Sequence, residues 1–161
     1  MKRFILFVTL IFTMATSMAQ TKPTTHCFVE GKEPLYLDHY RAEGEGLHPC
    51  VLFAFGGGFS HGNRADERYL PYFEMLLKEG FDVVSIDYRL GMAYTLDKTE
   101  DVGPLEGAWA MYRSVNMAAE DVLRATSYIH TNAVKMGINI AQIVVSGSSA
   151  GAIAVLQAEN H

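Results

Sequence analysis

The chain has 161 residues, about the length of one domain. Its hydrophobic content of 49%, against 19% charged residues, is that of a globular protein with a buried core and excludes a disordered tail. A net charge of -5, without a block of basic residues, gives no basis for binding nucleic acid or an anionic membrane surface.

The N-terminus has the pattern of a cleaved secretory signal. Basic residues precede an apolar run over residues 4–12, and residues 17–19 (Ser-Met-Ala) place small residues where signal peptidase cuts. A membrane anchor is the alternative, but polar residues interrupt the stretch before it reaches the ~20 apolar residues of a span. We therefore expect residues 1–19 to be a signal peptide and residues 20–161 to form one domain without a membrane span, secreted or periplasmic.

The cysteine and histidine residues give little information. Exported proteins can retain disulfides, so a Cys27–Cys50 bridge is one interpretation. Cys50 begins an apolar run, however, where a buried free thiol is equally reasonable. No Cys or His spacing indicates a metal site, and we expect no metal and no cofactor.

Predicted strands and helices alternate along the mature chain, which indicates an α/β fold with a mostly parallel sheet. Residues 21–32 are polar and are interpreted as a leader. The run Val51–Phe55 is apolar at every position, as expected of a strand covered on both faces. The other predicted strands cover residues 35–40, 82–88 and 142–146, and helices are predicted over 69–78 and 150–158.

A longer helix is predicted between the last two strands. Residues 91–113 lack a clear period and are interpreted as an excursion with a short helical piece. Ser114 is expected to cap the long helix, whose apolar face recurs at helical spacing from Val115 to Ala133. Gly80 and Gly137 are placed to end the two longer predicted helices.

The motif Gly147-Ser148-Ser149-Ala150-Gly151 lies between a predicted strand and a predicted helix. This is the context of a nucleophile elbow, a strained turn that presents a serine hydroxyl at the carboxyl edge of a sheet. A small-residue turn of an unrelated α/β protein is the alternative. The amide of Ala150, at the start of the helix, would point to a developing oxyanion.

Three glycines, Gly56-Gly57-Gly58, directly follow the predicted buried strand. Such a run has a high entropy cost unless another group approaches its amides. A phosphate is one such group, but the sequence lacks the Lys-Ser/Thr of a P-loop and the spaced glycines of a dinucleotide site. An oxyanion hole, with Gly57 and Gly58 as donors, is the interpretation that fits the downstream elbow.

Four motifs occur in the order seen in α/β-hydrolase esterases: 55–59 (FGGGF), 87–90 (DYRL), 119–122 (AEDV) and 147–151 (GSSAG). In this respect the chain resembles the carboxylesterase and hormone-sensitive-lipase-like group over about residues 35–158. The resemblance implies a three-layer α/β-hydrolase sandwich, with Ser149 as nucleophile and Gly57, Gly58 and Ala150 as the oxyanion hole.

The sequence departs from that group at one position and ends early. Phe55 stands where these esterases usually carry a histidine that orders the glycine loop, so another group has to hold the loop, with Asp87 and Arg89 as candidates. The triad order in this fold is Ser, Asp or Glu, then His, and only twelve residues follow Ser149. His61 is the best local substitute for the base, although chain order argues against it.

We therefore expect a fold truncated after the elbow helix, with residues 143–145 as an open, apolar sheet edge and with the triad acid and histidine lacking. The chain is interpreted as a fragment of a secreted serine ester hydrolase, inactive alone toward p-nitrophenyl acetate. Its substrates would be small-molecule or carbohydrate-linked esters. The alternatives are a fragment of a prolyl-oligopeptidase-type serine peptidase, and a non-catalytic hydrolase-like binding protein.

Overall fold

The computed structural model of the chain describes residues 22–96 and 102–160. The predicted signal peptide, residues 1–19, lies outside the described residues. Ten elements follow in chain order: β1 (Thr24–Val29), β2 (Leu35–Tyr40), β3 (His48–Ala54), a 3₁₀ turn (Glu67–Tyr69), α1 (Leu70–Lys78), β4 (Asp82–Ile86), α2 (Gly91–Leu96), α3 (Pro104–Met136), β5 (Ile138–Gly147) and α4 (Ala150–Ala158).

The five strands form one mixed sheet in the order β1-β2-β4-β3-β5. β3 is parallel to both of its neighbours, β4 and β5, whereas β2 is antiparallel to β1 and β4. In the parallel part, Ala54 lies opposite both Ile86 and Gly147. The carboxyl ends of β3, β4 and β5 are therefore level with one another.

Helices cover both faces of the sheet, as the surroundings of two successive residues of β2 show. The ring of Tyr40 lies 5.3 Å from that of Phe73 in α1. His39 lies instead beside His26, whose ring is 6.1 Å from that of Tyr128 in α3. Since neighbouring side chains of a strand point to opposite faces, α1 and α3 lie on opposite sides. The predicted three-layer α/β architecture is confirmed.

Two predicted elements are wrong in their extent. Part of the stretch interpreted as a leader, residues 21–32, forms the edge strand β1, whose half-exposed polar residues lack the alternation that marks a strand. Ser114 does not cap α3, which begins ten residues earlier at Pro104; its buried hydroxyl donates to the Ala110 carbonyl within the helix. Gly137 does end α3, with φ of 73°.

β5 is an edge strand among the described residues, as expected, since its pairing is with β3. Its outward residues Ile140 and Val144 are 53% and 54% exposed. On the adjoining helix α4, Ile153 and Leu156 are exposed as well. An open apolar edge of this kind invites pairing with another strand. Among the helices that the structure describes, none has both the length and the apolar character of a membrane span.

A buried carboxylate connects the amino ends of β3 and β4 with the carboxyl end of the antiparallel strand β2. Asp82, the first residue of β4, accepts hydrogen bonds from His39 Nε2 and His48 Nδ1, both at 2.8 Å, and from the Ala42 amide at 2.9 Å. Burial opposes its ionisation, but these hydrogen bonds outweigh burial and hold the pKa of Asp82 below its ordinary value. The ionised carboxylate therefore stabilises this edge of the sheet.

The two cysteines are both free thiols. Cys50 is buried in the core next to this cluster, and burial, followed by the charge of Asp82, raises the pKa of its thiol to about 12. The interpretation of Cys50 as a buried thiol is the one that the structure supports.

Replacing the buried carboxylate should destabilise the fold in a pH-dependent way. We expect Asp82→Asn to lower the free energy of unfolding at pH 7 by about 3 kcal/mol, because buried histidine donors lose a charged acceptor. Since the folded-state pKa of Asp82 is depressed, its contribution is present above the unfolded pKa of ~3.9 and is lost as pH falls through the folded value. Urea unfolding from pH 7 to pH 3 measures the difference between the two proteins.

Asp66→Asn is the matched control, because Asp66 pairs with Arg68 on the surface. It should change the unfolding free energy far less at every pH. A difference between wild type and Asp82→Asn that stays constant down to pH 3 would contradict the assignment of the effect to the ionised Asp82.

Candidate active site

The turn from β5 into α4 holds Ser149 in a strained backbone conformation. Its φ is 49° and its ψ is -116°, a region that residues with a side chain rarely adopt. The turn is closed by a hydrogen bond from the Gly151 amide to the Ser148 carbonyl, 2.9 Å long, and the Ser148 amide donates to Ala54 of β3. Ser149 is exposed, and its hydroxyl is thus available at the carboxyl edge of the sheet.

Glycine is required on both sides of this serine because backbone packs against backbone. A Cβ on Gly147 would lie 2.5 Å from the carbonyl carbon of Gly151 and 2.6 Å from the Ala152 amide nitrogen. A Cβ on Gly151 would strike the carbonyl oxygens of Ala54 and Phe55. α4 therefore approaches β3 more closely than any side chain would permit, as expected for an elbow.

The glycine loop after β3 lies directly against the elbow. A Cβ on Gly56 would be 2.9 Å from the Ser148 carbonyl oxygen and 3.2 Å from the Ser149 Cβ. Gly57 and Gly58 follow with φ of 151° and 60°, and the Gly57 carbonyl accepts from the amides of Ser60 and His61. The structure therefore brings the loop and the serine together, as their order in the chain predicts.

The amides of Gly57, Gly58 and Ala150 are among those at this edge that have no acceptor within the described residues. Two belong to the glycine loop, and the third is the first amide of α4, where the helix dipole adds partial positive charge. These are the donors that the sequence predicts for an oxyanion hole. Backbone amides without partners next to an exposed hydroxyl can bind negative charge that develops on a reacting carbonyl.

The residues that hold the glycine loop differ from those expected. Arg89 does not contact the loop; it binds Asp121 and Glu120 of α3. Asp87 contacts the loop only further along, where it accepts from the Arg64 amide and guanidinium. The start of the glycine loop is held instead by hydrogen bonds with two tyrosines, which the sequence analysis does not identify. Tyr88 donates to the Phe55 carbonyl at 2.6 Å, and Tyr69 accepts from the Gly56 amide at 3.0 Å.

No histidine in the described part of the chain hydrogen-bonds to Ser149. His61 is exposed, and its Nδ1 lies 3.0 Å from Ser60 Oγ. His39 and His48 bind Asp82 at the opposite edge of the sheet. His161 lies outside the described residues. Asp121 and Asp87 are likewise engaged by arginines, so neither orients a histidine beside Ser149.

Residues 22–96 and 102–160 contain no group of three or more His, Cys, Asp or Glu side chains placed to hold a metal ion.

The close contact at the elbow makes a stability prediction. We expect Gly151→Ala to lower the free energy of unfolding by at least about 2 kcal/mol, because the new methyl group meets carbonyl oxygens of β3 that cannot move aside. Gly107→Ala is the matched control. Gly107 lies in α3, where a Cβ would make only an ordinary contact of 3.6 Å with the Val102 side chain, so alanine should stabilise the protein by about 0.5–1 kcal/mol. Urea unfolding measures both; equal effects would contradict the packing argument.

The chain is similar in sequence to esterases from several organisms. It is 29% identical over 126 residues to juvenile hormone esterase of Tribolium castaneum, covering 76% of this chain and 19% of that protein. It is 28% identical over 110 residues to gut esterase 1 of Caenorhabditis elegans, covering 68% and 18%. Fumonisin B1 esterase of Sphingopyxis macrogoltabida is 29% identical over 129 residues, with 75% and 22% covered. The chain thus spans about a fifth of the length of these relatives.

The fold is also that of solved esterase structures. The thermophilic esterase Est2 of Thermogutta terrifontis superposes with a TM-score of 0.63 at 22% identity, over 84% of this chain and 44% of that one. Its propionate-bound form gives the same TM-score and 45% coverage. At this identity the similarity establishes the α/β-hydrolase fold. The sequence profile of the carboxylesterase family matches residues 13–158, and the chain therefore belongs to the carboxylesterase family.

Proposed function

We propose that Ser149 is the nucleophile of a carboxylic ester hydrolase and that Gly57, Gly58 and Ala150 form its oxyanion hole. The observation that carries the proposal is that an exposed, strained serine lies against the glycine loop, while the amides of Gly57, Gly58 and Ala150 lack acceptors in the described structure. Membership of the carboxylesterase family and the similarity to esterases of other organisms support ester hydrolysis as the reaction class.

The reaction would proceed through an acyl-enzyme. Ser149 Oγ attacks the ester carbonyl carbon and loses its proton to a base. The carbonyl oxygen gains the negative charge, which the amides of Gly57, Gly58 and Ala150 stabilise. Collapse of the tetrahedral intermediate releases the alcohol and leaves an acyl group on Ser149, and water then hydrolyses it to the acid. Small-molecule and carbohydrate-linked esters are the proposed substrates.

The base is the part of this machinery that the described residues do not supply. Ser149 has no histidine partner there, and a serine hydroxyl is a weak nucleophile until a base removes its proton. We accordingly propose that the chain alone does not turn over esters, even though it contains the proposed nucleophile and the proposed oxyanion donors.

The proposed site of action is outside the cytoplasm. The supporting observation is the sequence pattern of residues 1–19, with a basic start, an apolar run and a small-residue cleavage site. Expression with these residues in a secreting host should give a mature protein that begins at Gln20, as read by N-terminal sequencing. Retention of residues 1–19 in the exported protein would contradict a cleaved signal.

Active-site labelling tests the proposed nucleophile. We expect a fluorophosphonate probe to attach once per molecule, at Ser149, with peptide mass spectrometry locating the adduct. Labelling should be slow, and added imidazole should accelerate it by acting as the missing base. Ser149→Ala should abolish the adduct. Ser148→Ala is the matched control, since the neighbouring serine lies in the same turn, and it should retain labelling.

Two outcomes would overturn parts of the proposal. A folded protein that is not labelled at Ser149, with or without imidazole, would indicate a non-catalytic hydrolase-like binding protein. Hydrolysis of p-nitrophenyl acetate over many turnovers without imidazole, lost in Ser149→Ala, would show that the chain supplies its own base.

A further inference from the structure

One peptide group of the glycine loop is held on both sides by tyrosine hydroxyls. The peptide joins Phe55 to Gly56. Its carbonyl oxygen accepts from Tyr88 at 2.6 Å, and its N–H donates to the Tyr69 hydroxyl oxygen at 3.0 Å. Tyr88 comes from the segment after β4, and Tyr69 from the 3₁₀ turn before α1. Two elements far apart in sequence therefore meet on a single peptide.

The two tyrosine hydrogen bonds restrain rotation of the Phe55–Gly56 peptide group. A peptide group is planar, so it turns as a unit about the line between its two Cα atoms. Turning moves the carbonyl oxygen and the N–H in opposite directions, and both hydrogen bonds must break together. Gly57 and Gly58, which follow, have no side chains to fix their own orientation and adopt positive φ angles. The direction of their amides is therefore set from two sides: by how the Phe55–Gly56 peptide is held, and by the Ser60 and His61 amides that bind the Gly57 carbonyl.

Aromatic packing shields the hydrogen bond of Tyr88 from solvent. The Phe55 ring is stacked on the Tyr88 ring at 4.4 Å, and Phe59 packs edge-on against the same ring at 6.1 Å. All three side chains are buried. Burial, followed by the nearby Tyr69, raises the pKa of Tyr88, which favours the protonated hydroxyl that donates this hydrogen bond. A phenylalanine at position 55 is suited to this arrangement because its ring covers the tyrosine.

The far end of the same loop is anchored separately. Arg64 pairs with Asp87 at 2.7 Å and with Asp38 at 3.1 Å, and its carbonyl accepts from Ser85 Oγ. These contacts fix the chain eight residues beyond Gly56. They do not reach the Phe55–Gly56 peptide, which the two tyrosines hold.

We propose that Tyr69 and Tyr88 are positioning residues that hold the Phe55–Gly56 peptide, and through it the Gly57 and Gly58 amides, in the orientation that receives an oxyanion. The inference rests on the proposed function of those amides. The pair, which we name the tyrosine clamp (Tyr69 and Tyr88), supplies the side-chain hydrogen bonds to the loop that Phe55 itself cannot make.

Hydrogen exchange tests the tyrosine clamp without any need for catalysis. The Gly56, Ser60 and His61 amides are all hydrogen-bonded within or to the loop, so their exchange reports its opening. We expect about tenfold faster exchange at these amides in Tyr69→Phe and in Tyr88→Phe, measured by residue-resolved NMR on the full chain. Because each hydroxyl restrains the same peptide, either substitution should loosen all three amides.

Tyr72→Phe is the matched control. Its hydroxyl belongs to α1, makes only a 3.5 Å contact with Ser146 Oγ and lies in the same aromatic cluster. Exchange at the loop amides should change less than twofold in this variant. If Tyr88→Phe does not fold, Tyr69→Phe decides the result, since its ring is only partly buried.

Two results would overturn the tyrosine clamp. One is unchanged exchange at the three amides in both variants. The other is a uniform acceleration that extends through β3, β4 and β5, which would show a general loss of stability and not a local opening.

The labelling reaction links the tyrosine clamp to chemistry. With imidazole present, Tyr88→Phe should lower the maximal rate of fluorophosphonate attachment about tenfold and leave the half-saturating probe concentration unchanged. A rise in that concentration at constant maximal rate would contradict positioning of the oxyanion donors. If the unmodified chain is not labelled at all, the proposed ester hydrolysis fails, and the exchange experiment still decides the role of the tyrosines.

Discussion

The parallel register of β3 with its two neighbours determines where every part of the candidate site lies. Ala54 is opposite Ile86 on one side and Gly147 on the other, so three strands end at the same level. The glycine loop, the segment that carries Tyr88, and the elbow each begin immediately after these ends. A shift of one residue in the β3–β5 pairing would separate Gly56 from Ser148, which lie so close that a Cβ on Gly56 would meet the Ser148 carbonyl oxygen.

Charged groups secure that register from both edges of the sheet. At the amino ends, the Asp82 carboxylate connects β4 to His39 on β2 and His48 on β3. At the carboxyl ends, Arg89 ties the segment after β4 to the buried Asp121 of α3. Because each carboxylate is buried and bonded to several donors, slippage of a strand would leave an unpaired charge in the interior. The buried carboxylates thus restrain the positions of the strands in addition to the packing of the apolar side chains.

Local patterns account for most of what was predictable. The elbow could be recognised because its glycines, its serine and the flanking apolar runs are contiguous, and α4 begins at Ala150 as predicted. The predicted start of α3 is wrong because three large apolar residues point outward in its first turns and obscure the apolar period: Leu105, Trp109 and Tyr112. The tyrosine clamp was not predictable, because it depends on side-chain hydrogen bonds between distant segments. Tyr69 looked like part of an apolar helix face, and its bond to the Gly56 amide leaves no local signal.

The pairing of β3 with β5 also has a consequence for the order of folding. Val51 pairs with Val144, so this ladder joins segments about 90 residues apart, whereas β1 and β2 are nearly adjacent in the chain. Contacts of such separation form late, since the entropy of closing a long loop must be overcome before they gain stability. The β1–β2 hairpin and α3 are therefore expected to form early and the β3–β5 ladder last. Ser149 would reach its strained conformation only in that final step, which makes its reactivity a late reporter of complete folding.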